Sequence, residues 1–246
     1  MNDPNTTAAS WQYDEMIQLG KDFANREVVA AYDAYHRRFR DIDGENAALL
    51  DGLRLQPSDT VADFGCGTGA FVIQAAQRCA KVHAIDISAA MLDYTAWKAQ
   101  GLGLTNVVCH QAGFLTYVHT DPLLDVATTS MVLHHLPDFW KQKALCRISQ
   151  MLKPGARLFL ADVVFSAENY ETNITAWLNA LTAKAGPEIA EDIHRHVRNE
   201  HSTFTWILEG LLSRAGFRID RAEYVGGVLG RYYCTKATSC QAAGQQ

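Results

Sequence analysis

One stretch decides the fold: VADFGCGTGAF, residues 61–71. A short apolar run carries the acid Asp63 near its end, three glycines follow at every second position, and a helical apolar run begins at Phe71. This order predicts a strand, a tight loop and a helix. Glycine suits such a loop because it tolerates positive φ and lets the backbone approach a ligand without a Cβ between them. The free N–H groups of the following helix favour a polar or anionic ligand group there.

The spacing of the glycines and two acids indicate what kind of ligand binds. Gly65, Gly67 and Gly69 form G-x-G-x-G, whereas a dinucleotide fingerprint reads G-x-G-x-x-G. Asp63 would repel a pyrophosphate and attract an ammonium group. The run KVHAID at 81–86 predicts a second strand that ends in Asp86, where a carboxylate can bind both hydroxyls of a ribose. The pattern therefore favours a ligand with a ribose and an ammonium group.

Three segments of this chain resemble a known family. DFGCGTG at 63–69 and DISAAML at 86–92 are similar to the first two motifs of class I S-adenosylmethionine-dependent methyltransferases. LHHLPD at 133–138, followed by LKPGA at 152–156, is similar to the small-molecule branch of that family. The resemblance covers about residues 55–165, with the motifs in order and at the expected spacing.

The resemblance implies a fold and a division of the chain. The fold class is α/β: a doubly wound, Rossmann-like, seven-stranded mixed sheet of strand order 3-2-1-4-5-7-6 with helices on both faces. We expect a single methyltransferase domain over residues 1–246. Its predicted parts are N-terminal cap helices at 1–54, a cofactor-binding core at 55–165, a helical lid insertion at 166–202, and a C-terminal helix and strands at 203–237.

The resemblance also implies an activity and a cofactor site. The activity is transfer of a methyl group from S-adenosylmethionine to a small-molecule acceptor by in-line displacement, with S-adenosylhomocysteine as product. The residues implied to bind the cofactor are Asp63, Gly65, Cys66, Gly67, Gly69, Asp86, Ile87, Met91, Ala112, Gly113, Phe114, Ser130 and His135. One departure stands out: the family usually has an acid after the third strand for the adenine amino group, and QAGF at 111–114 contains none.

Two adjacent histidines follow the predicted fourth strand. Ligands of open parallel sheets sit beyond the carboxyl ends of the strands, which places His134 and His135 at the cleft. Either histidine could act as a base, and Tyr32 is a third candidate. The sequence fits equally well with a structural role, in which one histidine is packed in the interior and the other lies at the rim of the cleft. A base is needed only where the acceptor must lose a proton. The candidate substrate residues are Tyr13, Tyr32, His36, Arg40, His134, Trp177 and Arg198.

We expect no metal site. Asp162 could be a ligand, but no partner acids stand near it in the sequence. The H-x-H of His194 and His196 is a poor metal signature on a helix, because side chains two positions apart diverge around the axis. S-adenosylmethionine is therefore the one cofactor expected.

Composition narrows the partners and the location. The net charge of −5 argues against nucleic acid, including RNA methylation, and no apolar run approaches the ~20 residues of a membrane span. Six cysteines without a C-x-x-C pair, and no signal-peptide pattern, favour reduced thiols and a cytoplasmic location. The sequence leaves open a homodimer and the acceptor atom, which can be oxygen, nitrogen, sulfur or carbon.

Two other functions compete with this interpretation. A nicotinamide-dependent oxidoreductase would also place a glycine loop after the first strand, but the G-x-G-x-G spacing and Asp63 count against it. A non-catalytic S-adenosylmethionine sensor or partner-binding subunit would need the same binding motifs as the enzyme. The motifs alone therefore do not separate the sensor from the methyltransferase.

Overall fold

A computed structural model describes residues 10–17 and 23–238. The helices are α1 (Arg26–His36), α2 (Ile42–Leu53), α3 (Ala70–Ala76), α4 (Ala89–Gly101), α5 (Asp138–Met151), α6 (Tyr170–Ala185), α7 (Pro187–Asn199) and α8 (Thr205–Arg214), with a short 3-10 helix at Leu133–His135. The strands are β1 (Thr60–Phe64), β2 (Lys81–Asp86), β3 (Val107–Gln111), β4 (Leu124–Ser130), β5 (Leu152–Phe165), β6 (Thr203–Phe204), β7 (Phe217–Val225) and β8 (Leu229–Lys236).

The strands form one mixed sheet in the order β3-β2-β1-β4-β5-β8-β7. Strands β1 to β5 pair in parallel, and β8 lies antiparallel between β5 and β7. The long strands β7 and β8 correspond to the predicted sixth and seventh strands, so the predicted order is confirmed. The two-residue strand β6, which pairs with the end of β5, was not predicted from the sequence.

The order of the strands creates the crevice that holds the site. The chain runs outward from β1 through β2 to β3, and then returns to place β4 on the other side of β1. Beyond the carboxyl ends of β1 and β4 the flanking connections diverge, which is where open α/β sheets bind ligands. The glycine loop after β1 and the segment after β4 therefore face the same crevice.

Helices cover both faces of the sheet, because the central strands are apolar on both sides. Val61, Val126 and Leu158 are fully buried. On one face, residues of α5 and α8 join a hydrophobic cluster with the sheet. On the other face, residues of α2 and α3 form a second cluster. This arrangement confirms the doubly wound fold.

The segments before and after the core pack against each other. The predicted lid folds as α6 and α7, and Ala185, Ile189 and Ile193 form a small cluster with side chains of α1 that include Tyr35. The Tyr35 hydroxyl also donates to Asp192 at 2.6 Å. The first helix and the lid therefore form one helical layer.

Asp33 fastens α1 to the glycine loop. Its carboxylate is buried and accepts hydrogen bonds from the Thr68 hydroxyl and from Lys98 Nζ, both at 2.5 Å. Lys98 Nζ also donates to the Thr68 carbonyl at 3.0 Å. If α1 moved away from the loop, the Lys98 ammonium and the Asp33 carboxylate would be left partly buried without a partner, which is costly. This contact therefore holds α1 over the loop.

Within residues 10–17 and 23–238, no helix combines the length and the apolar character that a bilayer-spanning segment needs.

Replacement of Asp33 tests this attachment. Asp33→Ala leaves the Lys98 ammonium partly buried without its carboxylate, so we expect a loss of about 1–3 kcal/mol in the free energy of unfolding. Urea denaturation measures it. Asp51→Ala is the matched control, because Asp51 forms an exposed pair with Arg78 and its loss should leave the midpoint unchanged. Equal midpoints for the two variants would show that Asp33 does not hold α1 in place.

Candidate functional site

The crevice contains two adjoining pockets that share part of their lining. The apolar pocket and the polar pocket meet at Tyr32, Gly65, Gly67, Met131 and Val132. Both pockets are open to solvent at the mouth of the crevice. Of the predicted cofactor residues, the apolar pocket is lined by Gly65, Gly67, Asp86, Ile87, Met91, Ala112, Gly113, Phe114 and His135. The polar pocket is lined by Asp63, Gly65, Cys66, Gly67 and Ser130.

Two glycines shape the floor where the pockets meet. Gly65 has φ +72°, and a Cβ there would lie 2.4 Å from a methyl group of Val132. Gly67 has φ +53° and nothing within 4 Å of the position of a Cβ, so its backbone faces open space. Glycine adopts a positive φ at low cost at both positions, and at position 65 it also avoids the contact with Val132. The loop therefore exposes its main chain to a ligand.

Asp86 ends β2 at the edge of the apolar pocket. One carboxylate oxygen accepts from the Gly67 N–H at 2.9 Å and the other from the Ser88 N–H at 2.8 Å. Burial raises the pKa of Asp86, although these hydrogen bonds oppose the shift. A carboxylate has about four acceptor sites, so each oxygen retains capacity for a ligand hydroxyl.

Asp63 lies in the polar pocket and is only 6% exposed. Its carboxylate accepts from the Thr128 hydroxyl at 2.7 Å. Burial raises the pKa of Asp63 to about 7. In the described part of the chain no lysine or arginine pairs with it, so the carboxylate is suited to a cationic group of a ligand.

Aromatic rings form the walls of the apolar pocket. Phe114 stacks on Phe64 with 5.6 Å between ring centroids. Across the pocket, Tyr32 meets the edge of Phe23 at 5.7 Å and lies 4.0 Å from the ring of His36. Flat apolar surfaces of this kind suit a planar heterocycle, and the π faces attract a cation.

The two adjacent histidines differ in environment. His135 lines the apolar pocket, and its Nδ1 is buried without a hydrogen-bond partner among the described residues. Burial, assisted by the charge of His134, lowers the pKa of His135 to about 4. A neutral imidazole with an unpartnered nitrogen can accept a hydrogen bond or a proton from a ligand.

His134 points away from both pockets. Its Nδ1 lies 2.5 Å from Asp162 and its Nε2 lies 3.2 Å from Glu200. Burial alone would lower the pKa of His134, but the two carboxylates outweigh it and raise the pKa to about 9. The prediction that His134 is a catalytic or substrate residue is therefore not supported, because its ring is held inside the protein.

The comparison with protein families agrees with this geometry. Residues 61–155 match the family model described as a methyltransferase domain. The chain therefore contains a segment that matches a methyltransferase domain, and it resembles class I S-adenosylmethionine-dependent methyltransferases. The matched segment begins in β1 and ends in β5, so it contains the glycine loop, Asp86 and the histidine pair.

Related sequences and solved structures extend the similarity beyond this segment. An uncharacterized methyltransferase from Geobacillus kaustophilus is 26% identical over 212 residues, which cover 83% of this chain and 93% of the relative. A solved SAM-dependent methyltransferase from Aquifex aeolicus is 21% identical with a TM-score of 0.61, covering 87% of this chain and 99% of that one. A geranyl diphosphate methyltransferase in complex with SAM is 15% identical with a TM-score of 0.64, covering 85% and 90%. The two solved structures share the fold.

Glu15 lines the site as well, although the sequence did not predict it. It is 8% exposed, lines the apolar pocket, and accepts from the Leu115 N–H at 2.8 Å and the Thr116 hydroxyl at 2.9 Å. A Cβ on Gly113 would lie 2.4 Å from its carboxyl carbon. The N-terminal segment thus delivers an acid to the chain after β3, where the QAGF stretch lacks one. No periodicity of the sequence marks this contact.

Met131 was also missed. It lines both pockets directly after β4 and has φ +60°, which is costly for a residue other than glycine. Its N–H donates to the carbonyl of Ala161 at 2.8 Å, which holds the turn in place. Strained backbone of this kind clusters at ligand sites, but a methionine in the sequence gives no sign of it.

Three further predicted residues do not line the cleft. Gly69 faces Thr95, whose hydroxyl would lie 2.6 Å from a Cβ on Gly69. Trp177 packs in the lid cluster and meets the edge of His196 at 6.1 Å, and Arg198 lies on the exposed side of α7. The lid packs its apolar side against α1, so the side chains of Trp177 and Arg198 do not reach the pockets.

The remaining substrate candidates lie at the cleft. Tyr13 lines the apolar pocket and donates to the His135 carbonyl at 3.2 Å, while Tyr32 borders both pockets. His36 and Arg40 line the polar pocket. Arg40 is already paired with Glu45 through Nη2 at 2.6 Å and Nε at 3.2 Å, so its charge is partly balanced.

Proposed function

We propose that this protein transfers the methyl group of S-adenosylmethionine to a small-molecule acceptor by in-line displacement, with S-adenosylhomocysteine as product. One observation carries the proposal: a buried carboxylate, Asp63, and a partly buried one, Asp86, flank a glycine loop whose main chain is open to the crevice. A ligand with a ribose and an ammonium group satisfies both acids at once.

The residues present fit the parts of that cofactor. Asp86 would bind the ribose hydroxyls, and Asp63 would bind the ammonium group of the methionine part. His36 and Arg40, which line the polar pocket, would meet its carboxylate. Phe114 and the backbone of Ala112 and Gly113 would frame the adenine, with Glu15 toward the exocyclic amino group. Each group of the cofactor thus has a partner of complementary charge or shape.

The bound cofactor supplies a methyl group on a sulfonium, which is already a good leaving group. The protein therefore has to orient the acceptor and exclude water. Tyr13, Tyr32 and His135 border the apolar pocket around the segment after β4 and form the proposed acceptor side. Where the acceptor must lose a proton, His135, which lines the apolar pocket, would be the residue to accept it.

The expected partner is a small molecule. The site is a crevice roofed by α1 and the N-terminal segment, and the net charge is −5, so a nucleic acid would meet neither an open groove nor a basic surface. We also propose a cytoplasmic location on the cysteine pattern described above.

Calorimetric titration with S-adenosylmethionine and S-adenosylhomocysteine tests the proposal directly. We expect binding of both, with Asp86→Ala at least tenfold weaker, or about 1.4 kcal/mol. Asp93→Ala is the control, because Asp93 pairs with Arg26 at the exposed surface of α4. Unchanged affinity in Asp86→Ala would contradict the ribose assignment.

A homocysteine-release assay across small thiols, amines, phenols and carboxylates then separates an enzyme from a sensor. Turnover on one acceptor class would establish methyl transfer and identify the acceptor atom. Tight binding without turnover on any class would favour the non-catalytic sensor, and absence of binding would overturn the proposal.

Asp63 predicts the pH dependence of binding. Its pKa in the folded protein is raised from 3.8 to about 7, so acidification below about pH 7 protonates it before the ligand ammonium group arrives. The affinity for S-adenosylhomocysteine should fall by about tenfold for each pH unit below that value. The same shift means that the folded state binds this proton more tightly than the unfolded chain, so the contribution of Asp63 to stability decreases as the pH rises from about 4 to 7.

Calorimetry at several pH values, at constant ionic strength, measures the effect. Asp63→Asn removes the titrating group, so its affinity should be lower than that of the wild type at neutral pH and nearly constant below it. A wild-type affinity that does not change on acidification would show that Asp63 does not meet a cation.

Glu15 predicts discrimination between nucleosides. S-inosylhomocysteine carries a carbonyl oxygen in place of the adenine amino group, and a carboxylate repels it. We expect the wild type to prefer S-adenosylhomocysteine by at least about tenfold, or about 1.4 kcal/mol. Glu15→Gln should narrow this preference, because its amide can donate to the carbonyl.

Asp14→Asn is the control for Glu15, since its neighbour Asp14 is exposed. This variant should keep the wild-type preference. If the wild-type protein bound both nucleosides equally, the carboxylate of Glu15 would not lie at the amino group.

A further inference from the structure

Three side chains that the proposed reaction does not use converge between the sheet and the lid. His134 follows β4, His196 lies on α7, and Glu200 is the residue after α7. Their possible ligand atoms all lie within 4.8 Å of one another. The side chains are 6%, 12% and 10% exposed, so the cluster is shielded from solvent.

Both imidazole rings are oriented by a second hydrogen bond. His134 Nδ1 lies 2.5 Å from Asp162, which leaves Nε2 directed at Glu200. His196 Nε2 lies 2.7 Å from the Ser202 hydroxyl, which leaves Nδ1 directed at the same Glu200 oxygen. Histidines that bind metals are held in this way, with the nitrogen away from the ion bonded to a carboxylate or another acceptor.

The cluster also carries two buried negative charges. Asp162 and Glu200 contact only histidines among the ionic partners of the described residues, with no lysine or arginine beside them. Buried carboxylates require nearby positive charge. That charge has to come from protons on the two imidazoles or from a bound cation, and one divalent ion balances both carboxylates.

We propose that His134, His196 and Glu200 bind a divalent transition-metal ion of the Zn²⁺ type. Two imidazole nitrogens and a carboxylate are typical zinc donors, and three protein ligands leave a fourth position for water. Asp162 and Ser202 orient the two rings. The site is separate from the two pockets, so the proposed metal binding does not depend on the proposed methyl transfer.

The position of the ion assigns it a mechanical role. It joins the end of α7 to the 3-10 helix that carries His134, and the next residue, His135, lines the apolar pocket. The ion thereby ties the lid to the edge of the cleft and fixes the peptide that positions His135. This proposal differs from the expectation, drawn from the sequence, that the chain has no metal site. The side chains of His194 and His196 do diverge as expected, since His194 lies near Glu191 at the helix surface. The proposed co-ligands of His196 are His134 and Glu200, which do not belong to the H-x-H pair.

Metal analysis of the full chain, with any polyhistidine tag removed, tests the proposal. The protein is stripped with a chelator, equilibrated with Zn²⁺ and desalted, and its metal content is measured by mass spectrometry. We expect about one Zn²⁺ per chain. Competition with a chromophoric chelator should show about ten- to hundredfold weaker binding in Ser202→Ala, which removes only an orienting contact, and a larger loss in Glu200→Gln.

His194→Ala is the matched control, because it removes a histidine from the surface of the same helix and should retain the ion. His196→Ala should lose it, and Glu200→Gln repeats the test with an isosteric change where truncation impairs folding. A folded wild-type protein that retains no Zn²⁺, or one that retains it undiminished in Glu200→Gln and His196→Ala, would overturn the proposal. The buried carboxylates would then be balanced by protons on the two histidines.

Discussion

The site depends on the burial of carboxylates at the ends of two neighbouring parallel strands. Asp63 and Asp86 lose most of their hydration there, and the surrounding chain is arranged to replace it. Thr128 of β4 donates to Asp63, while the loop brings the Gly67 N–H to Asp86. The glycine loop is therefore folded around the acids as well as around the space for a ligand. The ammonium group and the ribose hydroxyls of the proposed cofactor would complete the replacement.

The first helix connects this centre to the rest of the cover. One side of α1 presents Tyr32 and His36 to the pockets, and Asp33 fixes the helix to Thr68 of the loop. The other side carries Tyr35, which packs into the lid cluster. The lid therefore contacts the wall of the cleft through α1 and, at the end of α7, through the contact of Glu200 with His134. The proposed ion would strengthen this second connection.

Much of the fold was predictable because its signals are local. The glycine spacing, the acid that ends β2 and the apolar runs each lie within one short segment, and each fixes one element of the sheet. The contacts that were missed join distant segments: Glu15 reaches the chain after β3, and Glu200 meets His134. Periodicity describes which side of an element is buried but not which distant residue it meets. The same limit explains why His134 was placed in the cleft and Met131 was not.

The close fit of Gly65 against Val132 has a consequence for how this protein can change over generations. The methyl groups of Val132 occupy the space that a side chain at position 65 would need, and the φ of +72° independently disfavours one. A side chain at position 65 would therefore need a smaller residue at 132 and would still have to adopt a costly positive φ, so this part of the cleft strongly favours glycine. Substitutions in the covering helices and the N-terminal segment would change the lining of the pockets without disturbing this contact.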